Sequence, residues 1–372
     1  GQPLTFSLRS VVAIVILCVF CTRNLQDMSV MVAYNPDRST LFGNATLEGD
    51  ESWEEDPDRR ATAAPGMSKE RAKHTSREID YIPLEDLVQT SKFDPHMCPN
   101  GTFFINSTFA NQTLPPRKIP RIVHISGKRP CLTGAFRSSL KNWELEGHSF
   151  LFHDDPAVDR LLTKFWPEFP HLQLIQECLI SGAAKTDLWR YLVLYEYGGI
   201  YSDMDSAPGP RFTTDAAIQP DDDAYIVVEG GGFPAQYFIA ASPKHPLMFY
   251  AVHRVYLRLF DVNNVLRQRI PVVTGPGALK TAAIDFMKDE KFGYPEEGLY
   301  NDTGGRQVRV WGTRATNNEF IVRNAVRSRY KRNGWAAMDQ KPYSTIANQV
   351  DEATKEWLLQ SCRDVLFNIS QT

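Results

Sequence analysis

Apolar and polar positions divide the 372-residue chain into three regimes. Residues 11–21 form an unbroken apolar run, VVAIVILCVFC, between Arg9 and Arg23. From there to residue 117 large apolar side chains are sparse. Beyond residue 118, short β-branched runs alternate with segments of helical period. Residues 119–126, IPRIVHIS, read as a buried strand closed by Gly127, and further strands are predicted at 149–153, 200–205, 224–229, 237–241 and 308–311. Helices are predicted at 136–146, 159–169, 172–180, 183–197, 246–260, 278–288 and 351–366. The clearest is 183–197, where Leu188, Tyr191, Leu192 and Tyr195 fall on one face and Gly198-Gly199 supplies the stop. Strands interleaved with helices predict a layered α/β domain over residues 118–372.

The first two regimes read as a leader and a tether. Eleven apolar residues are short of the roughly 20 that cross a bilayer and within the roughly 7 to 15 of a signal-peptide core. Residues 1–34 are therefore expected to be a cleaved secretory signal or a short signal anchor. Residues 48–58 carry seven acidic side chains in eleven positions and residues 59–77 turn basic, a composition that buries too little surface to offset chain entropy. Residues 35–117 are thus expected to be a disordered stem, ended by Pro115-Pro116, with IDYIPLEDLV, beginning at Ile79, the one stretch able to dock on the domain that follows.

Composition narrows the class. With 42% apolar and 11% aromatic residues the chain can bury a core, and a net charge of −3 leaves no basic field to hold nucleic acid. Six Asn-x-Ser/Thr sequons, at Asn44, Asn100, Asn106, Asn111, Asn301 and Asn368, exceed the roughly two expected by chance and point to the secretory lumen, in the Golgi or endoplasmic reticulum. Of six cysteines, Cys18 and Cys21 lie in the apolar run; Cys98, Cys131, Cys178 and Cys362 form an even set open to three disulfide pairings.

The candidate chemistry lies in Asp203-Met204-Asp205. In the strand predicted at 200–205, Tyr201, Asp203 and Asp205 share a face, and two like charges there call for a cation with oxygen ligands, Mg²⁺ or Mn²⁺. Such an ion can neutralise a departing diphosphate. On the preceding helix Asp187 and Arg190 share a face one turn apart, and Ala183 and Ala184 leave room for a ligand. Glu229 and Gln236 flank a run of three glycines and could stabilise an oxocarbenium-like centre. Asp221 to Asp223 read as a hydrated turn, and Trp143, Trp166 and Trp189 as core.

The segment ISGAAKTDLWRYLVLYEYGGIYSDMDS closely resembles the signature of glycosyltransferase family 32, D-x-D sugar transferases that include α-1,6-mannosyltransferases, α-1,4-galactosyltransferases and mannosyltransferases acting on inositol phosphoceramide. IPRIVHISGK, YFIAASPKHPLM and VVTGPGALKTA resemble further family segments in the expected order, so the likeness spans about residues 118–345. It implies a GT-A fold with a mixed, mainly parallel sheet, a metal-bound GDP- or UDP-sugar donor, retention of anomeric configuration and a glycan or glycolipid acceptor. By that resemblance Asp187 and Arg190 would hold sugar hydroxyls and Asp203 the ribose and sugar, with Ala184 and Tyr201 beside the donor. Asp205, aided by Asp203, would hold the metal, and His124, Ile125 and Ser126 would line the base pocket. One departure stands out: Pro342 precedes Tyr343 where the family places a metal-binding His, with Asn333 or Asp339 as oxygen substitutes. A sugar-binding pseudo-transferase is therefore the alternative. An aspartate-nucleophile phosphatase fits poorly, because Tyr201-Ser202 precede and Ser206 follows the acidic pair.

Overall fold

The chain divides into two units, Gly1–Lys73 and His74–Thr372, and the described residues lie in the second. The structure, a computed structural model, describes residues 81–326 except 90–92, 113, 180, 211, 213–217, 230–231, 261–263, 265–269, 289–296 and 313–320, together with 338, 356, 357 and 360–362. The apolar run at 11–21, most of the expected stem, Pro342 and most of the helix expected at 351–366 lie outside these residues. No helix among the described residues is long and apolar enough to cross a membrane.

The elements follow the hydrophobic pattern closely. A short helix α1 (Leu84–Val88) and strand β1 (Thr102–Phe104) precede the first central strand, β2 (Ile122–Ser126). Then come β3 (Cys131–Thr133), α2 (Gly134–Leu140), β4 (Ser149–His153), α3 (Asp155–Thr163), α4 (Leu172–Ile175) and the long α5 (Gly182–Tyr197). Strands β5 (Gly199–Ser202), β6 (Ser206–Pro208), β7 (Ala224–Val228) and β8 (Pro234–Ala241) lead into α6 (Pro246–Leu259), α7 (Ile270–Val273) and α8 (Pro276–Met287). The last described strands are β9 (Gly298–Asn301), β10 (Gln307–Trp311) and β11 (Val322–Asn324).

Seven strands form one sheet in the order β4-β2-β5-β8-β7-β10-β9. The pairings make β4, β2, β5, β7 and β10 run one way, with β8 and β9 opposed, so the sheet is mixed and mainly parallel. Both faces are covered. Along β7 the side chains of Ala224, Ile226 and Val228 enter one core with α5, α6 and α8, whereas Tyr225 and Val227 enter the other with Phe136, Trp143 and Phe238. Helix α5 is buried nearly all round, as a helix packed centrally against a sheet must be.

Gly198 and Gly199 turn the end of α5 straight into β5. Their φ angles are +67° and +103°, and a Cβ at Gly199 would lie 2.6 Å from the Ile122 carbonyl oxygen. Gly199→Ala is expected to lower stability by about 3 kcal/mol or more, from the left-handed backbone and the backbone clash together, read as a drop in urea midpoint. A midpoint unchanged from the parent would show that β5 can retreat from β2.

Ile82 and Leu87, in the stretch expected to dock, are buried against the domain, and the Tyr197 hydroxyl donates to the Ile82 carbonyl at 2.6 Å. Two expectations change here. The rest of the expected stem is not tether throughout: β1 pairs with β3, and the Cys98–Cys131 disulfide ties this segment to it. Composition hid this because one short pairing and one crosslink suffice. Asp222 and Asp223, read as a hydrated turn, are buried, and they pair with Arg309 at 2.7 Å and Lys118 at 3.1 Å. Cys178–Cys362 is the second disulfide.

Candidate active site

In a sheet of this kind ligands bind beyond the carboxyl ends of the parallel strands. At that edge β5 stops at Ser202, one residue before the acidic motif, which corrects the strand expected to reach residue 205. Asp203-Met204-Asp205 form a turn, with the Ser206 amide donating to the Asp203 carbonyl at 3.0 Å and the Asp203 amide to the Tyr237 carbonyl at 3.0 Å. A turn lets both carboxylates face outward without strand alternation. Met204 points inward, buried, over Gly127 at the end of β2, where a Cβ would lie 2.7 Å from its methyl carbon. The turn is fastened from below as well: the Ser206 carbonyl accepts from Trp143 Nε1 at 2.9 Å and Ser139 Oγ at 3.0 Å. The Asp205 carbonyl accepts from the Ala325 amide at 2.9 Å, just past β11, which pairs with β6.

Behind the turn lies a buried polar network. Arg190 Nη2 meets Asp187 Oδ1 at 2.9 Å, and its Nη1 lies 3.6 Å from Asp203 Oδ1 and donates to the Gln236 carbonyl at 3.0 Å. The guanidinium also stacks over Tyr201, 4.5 Å from the ring centroid. Tyr201 donates its hydroxyl to Asp203 Oδ1 at 2.6 Å, and burial keeps that phenol protonated. The second Asp187 oxygen accepts from Thr274 Oγ1 at 2.8 Å. Burial pushes the Asp187 carboxyl up to about 6 against the opposing pull of Arg190 and Thr274. The Gln236 amide donates to the Tyr191 hydroxyl at 2.7 Å and to the Thr274 carbonyl at 3.2 Å.

Asp187, Arg190, Tyr201 and Asp203 are therefore brought together, and Asp205 sits on the same turn. Gln236 joins them only from beneath: its amide faces the core, which corrects its expected place near the anomeric carbon. Glu229 is exposed at the end of β7, beside the half-buried Tyr237, whose phenol is pushed up by burial and by the carboxylates of Glu229, Asp203 and Asp205. Ala184 is buried in the core at the start of α5. Thr274, Tyr191 and Tyr237 are site residues that the sequence reading did not single out; the Thr-Gly-Pro at 274–276 was the available signal for the first.

The expected base pocket changes most. Ser126 is at a strand end, but His124 and Ile125 are fully buried. His124 Nε2 donates to the Gly198 carbonyl at 3.0 Å, so its Nδ1 accepts from His153 Nε2 at 3.0 Å. A histidine on a strand read as buried on both faces belongs to the core, and here it fastens β2 to β4 and to the Gly198 turn. Burial lowers His124 to about 4, His245 also to about 4, and His153 in the same direction.

These shifts fix a sign for pH dependence. A histidine neutral in the fold but protonated when unfolded gives its full stability above 6.5 and loses it as pH falls toward about 4. Asp187 acts the other way, since a carboxyl raised to about 6 favours the fold as it gains its proton. The lowered histidines oppose the raised carboxyls of Asp187 and Asp155 and outnumber them. Moving from pH 7 to pH 5 is expected to lower stability in urea unfolding, and a gain in stability would contradict this packing.

A sequence profile described as a glycosyltransferase sugar-binding region containing the DXD motif matches residues 131–222, a span that holds the Asp187–Arg190 helix and the acidic turn. This stretch resembles a DXD glycosyltransferase sugar-binding region. The chain is 25% identical over 143 residues, 37% of its length and 43% of the relative's, to inositol phosphoceramide mannosyltransferase 1 of Schizosaccharomyces pombe. It is 30% identical over 141 residues, 32% of its length and 35% of the relative's, to the initiation-specific alpha-1,6-mannosyltransferase of the same organism. The chain thus spans less than half the length of either relative. Among solved structures it is similar to the PaToxG glycosyltransferase, with 16% identity, TM-score 0.34 and coverage of 68% of this chain and 87% of that one. A glycosyltransferase involved in glycosylation of the major capsid of PBCV-1 gives 15% identity, TM-score 0.30 and coverage of 59% and 100%. The resemblance to glycosyltransferase family 32 drawn from the motifs is supported by the profile and the two mannosyltransferases, and the mixed, mainly parallel α/β sheet is as expected.

Proposed function

We propose that this chain is a metal-dependent retaining glycosyltransferase of the secretory pathway that moves a hexose from a nucleotide diphosphate sugar to a glycan or glycolipid. The observation that carries the reading is the placement of the acidic turn directly against the buried Asp187–Arg190 pair at the carboxyl edge of the sheet. Mannose is the sugar we favour, because both curated relatives are mannosyltransferases.

Two carboxylates two residues apart in a turn, both partly exposed, form an open all-oxygen donor set, which fits a hard ion that keeps waters or phosphate oxygens as its other ligands. Among the described residues no cluster of three or more His, Cys, Asp and Glu side chains encloses a metal, so the fit is to a site completed by the donor. Bound there, Mn²⁺ or Mg²⁺ would neutralise the charge of the diphosphate leaving group. The protein residues then divide the remaining work. Asp205 would hold the ion, and Asp203, oriented by Tyr201 and Arg190, would hold the ion and the donor hydroxyls. Arg190 presents its fixed fork to the hexose side, and Asp187 acts through Arg190, since both its oxygens are already engaged. Glu229, exposed at the strand end, faces positive charge developing at the anomeric carbon.

The test is transfer from GDP- and UDP-hexoses with and without Mn²⁺, together with donor hydrolysis. Manganese-dependent turnover with one nucleotide series is the expected result. Donor binding without turnover would favour the pseudo-transferase, and no donor binding at all would remove the reading. Glu229→Gln should lower kcat by about 10²-fold with KM nearly unchanged, and an unchanged kcat would take Glu229 out of the chemistry.

A further inference from the structure

The two ends of the seven-stranded sheet are β4 and β9, and a sequon lies at each. Unpaired edges are a hazard, because their free amides and carbonyls can pair with another chain, and proteins blunt them with charge, proline or a covering segment. At the β4 edge the chain supplies a partial cover. The Thr108 amide donates to the Phe150 carbonyl at 2.7 Å and the Phe150 amide to the Thr108 carbonyl at 2.8 Å, while the Phe152 amide donates to Ser107 Oγ at 2.9 Å. Ser107 is thereby turned inward. In this extended stretch the residues on either side, Asn106 and Thr108, face out, and both are exposed. The same segment shows aromatic surface, with Phe109 41% exposed and Phe103 43% exposed on the side away from the Arg137 guanidinium, which lies 4.7 Å from its ring centroid.

The other edge is less protected. Strand β9, GLYN, contains no charged residue and no proline, and among the described residues it pairs only with β10. Its burial alternates, so Leu299, 45% exposed, and Asn301 share the outward face. Thr303, the hydroxyl residue of the sequon, is also exposed, in the turn that leads to β10.

We propose that Asn106 and Asn301 are N-glycosylation sites and that their glycans shield the two edges of the central sheet. The covering group is large, hydrated and uncharged. Its first sugars would lie over Phe103, Phe109 and Leu299, the kind of apolar ring and side-chain surface that sugar faces pack against. Attachment joins Asn Nδ2 to C1 of a lipid-diphosphate-linked oligosaccharide. The C1–O bond to the diphosphate breaks, the diphosphate leaves with the bonding pair, and the amide gives up one proton. The disulfide Cys98–Cys131 anchors the segment that carries Asn106, so this glycan is held at the rim and does not swing on a tether.

The inference rests on the lumenal location proposed above, and the experiment separates the two. The full chain is secreted from eukaryotic cells behind a cleavable heterologous signal, which places it in the lumen whatever its own leader does. Protease protection of the full chain with its own N-terminus tests the location independently. Enzymatic glycan release in heavy-oxygen water, followed by peptide mass spectrometry, should mark both Asn106 and Asn301. Thr303→Ala should lose the Asn301 glycan, with one step of mobility shift, while leaving that asparagine in place. The double variant Asn106→Gln/Asn301→Gln should keep the parent's melting temperature but self-associate in light scattering at concentrations where the parent is monodisperse. An unmodified Asn106 or Asn301 in the secreted chain would overturn the proposed site. A double variant that melts and scatters like the parent would overturn the shielding role.

Discussion

Asp205→Asn is expected to abolish transfer, lowering kcat/KM by about 10³-fold or more, because the substitution keeps the shape of the turn and removes one of the two charges that hold the ion. The fold should survive. The Asp205 carbonyl accepts from Ala325 whatever the side chain is, and the turn is pinned by Met204 on one side and Trp143 on the other. The measurement has two parts: Mn²⁺-dependent binding of nucleotide diphosphate by calorimetry, and transfer with the parent's own donor and acceptor. Binding that loses its manganese dependence together with transfer assigns the residue to the metal. Wild-type transfer by this variant would mean that the ion, if needed, is held elsewhere, and the region around Pro342 would be the next place to probe.

The α/β alternation was legible because strand and helix periods differ and both are written in large apolar residues. Strand β4 was read to the residue, and α5 to within one, because Gly198-Gly199 ends it by a steric requirement that any sequence reading can apply. What was not legible is what depends on distant contacts. The three-residue strands β1, β3, β6 and β11 have no period of their own and exist through their partners. The acidic pair was expected on one strand face, but the strand gives way to a turn at Asp203, where Met204 finds its place over Gly127. The motif alone places His124 toward a ligand, since sequence does not reveal that His153 on the neighbouring parallel strand donates to its ring in the core. Gln236 and Asp187 were identified as site residues from their positions, yet the partners that turn them inward, Tyr191 and Thr274, lie 45 and 87 residues away.

That inward network makes Arg190 the residue whose loss should separate binding from chemistry most cleanly. Its guanidinium meets Asp187, Asp203 and the Gln236 carbonyl at once and stacks on Tyr201, which is work for a planar fork and not for a single ammonium. Arg190→Lys keeps the positive charge that the buried Asp187 requires, so no buried carboxylate is stranded, and the loss of stability should stay near 1–2 kcal/mol. The position of Asp203 is another matter. With one of its two orienting partners gone and only Tyr201 left, its carboxylate is no longer fixed against the hexose, and a misplacement on the order of 1 Å is worth about 10²-fold in rate. The expected result is a fall of about 10²-fold in kcat for transfer, with manganese-dependent binding of free nucleotide diphosphate weakened far less, since Asp205 still holds the ion and Asp203 keeps its charge. Asp187→Asn should reproduce the same split in milder form, because it acts on the hexose only through Arg190. If Arg190→Lys weakened nucleotide diphosphate binding as much as it slowed transfer, the guanidinium would have to face the diphosphate, and the assignment of this end of the site to the sugar would be reversed.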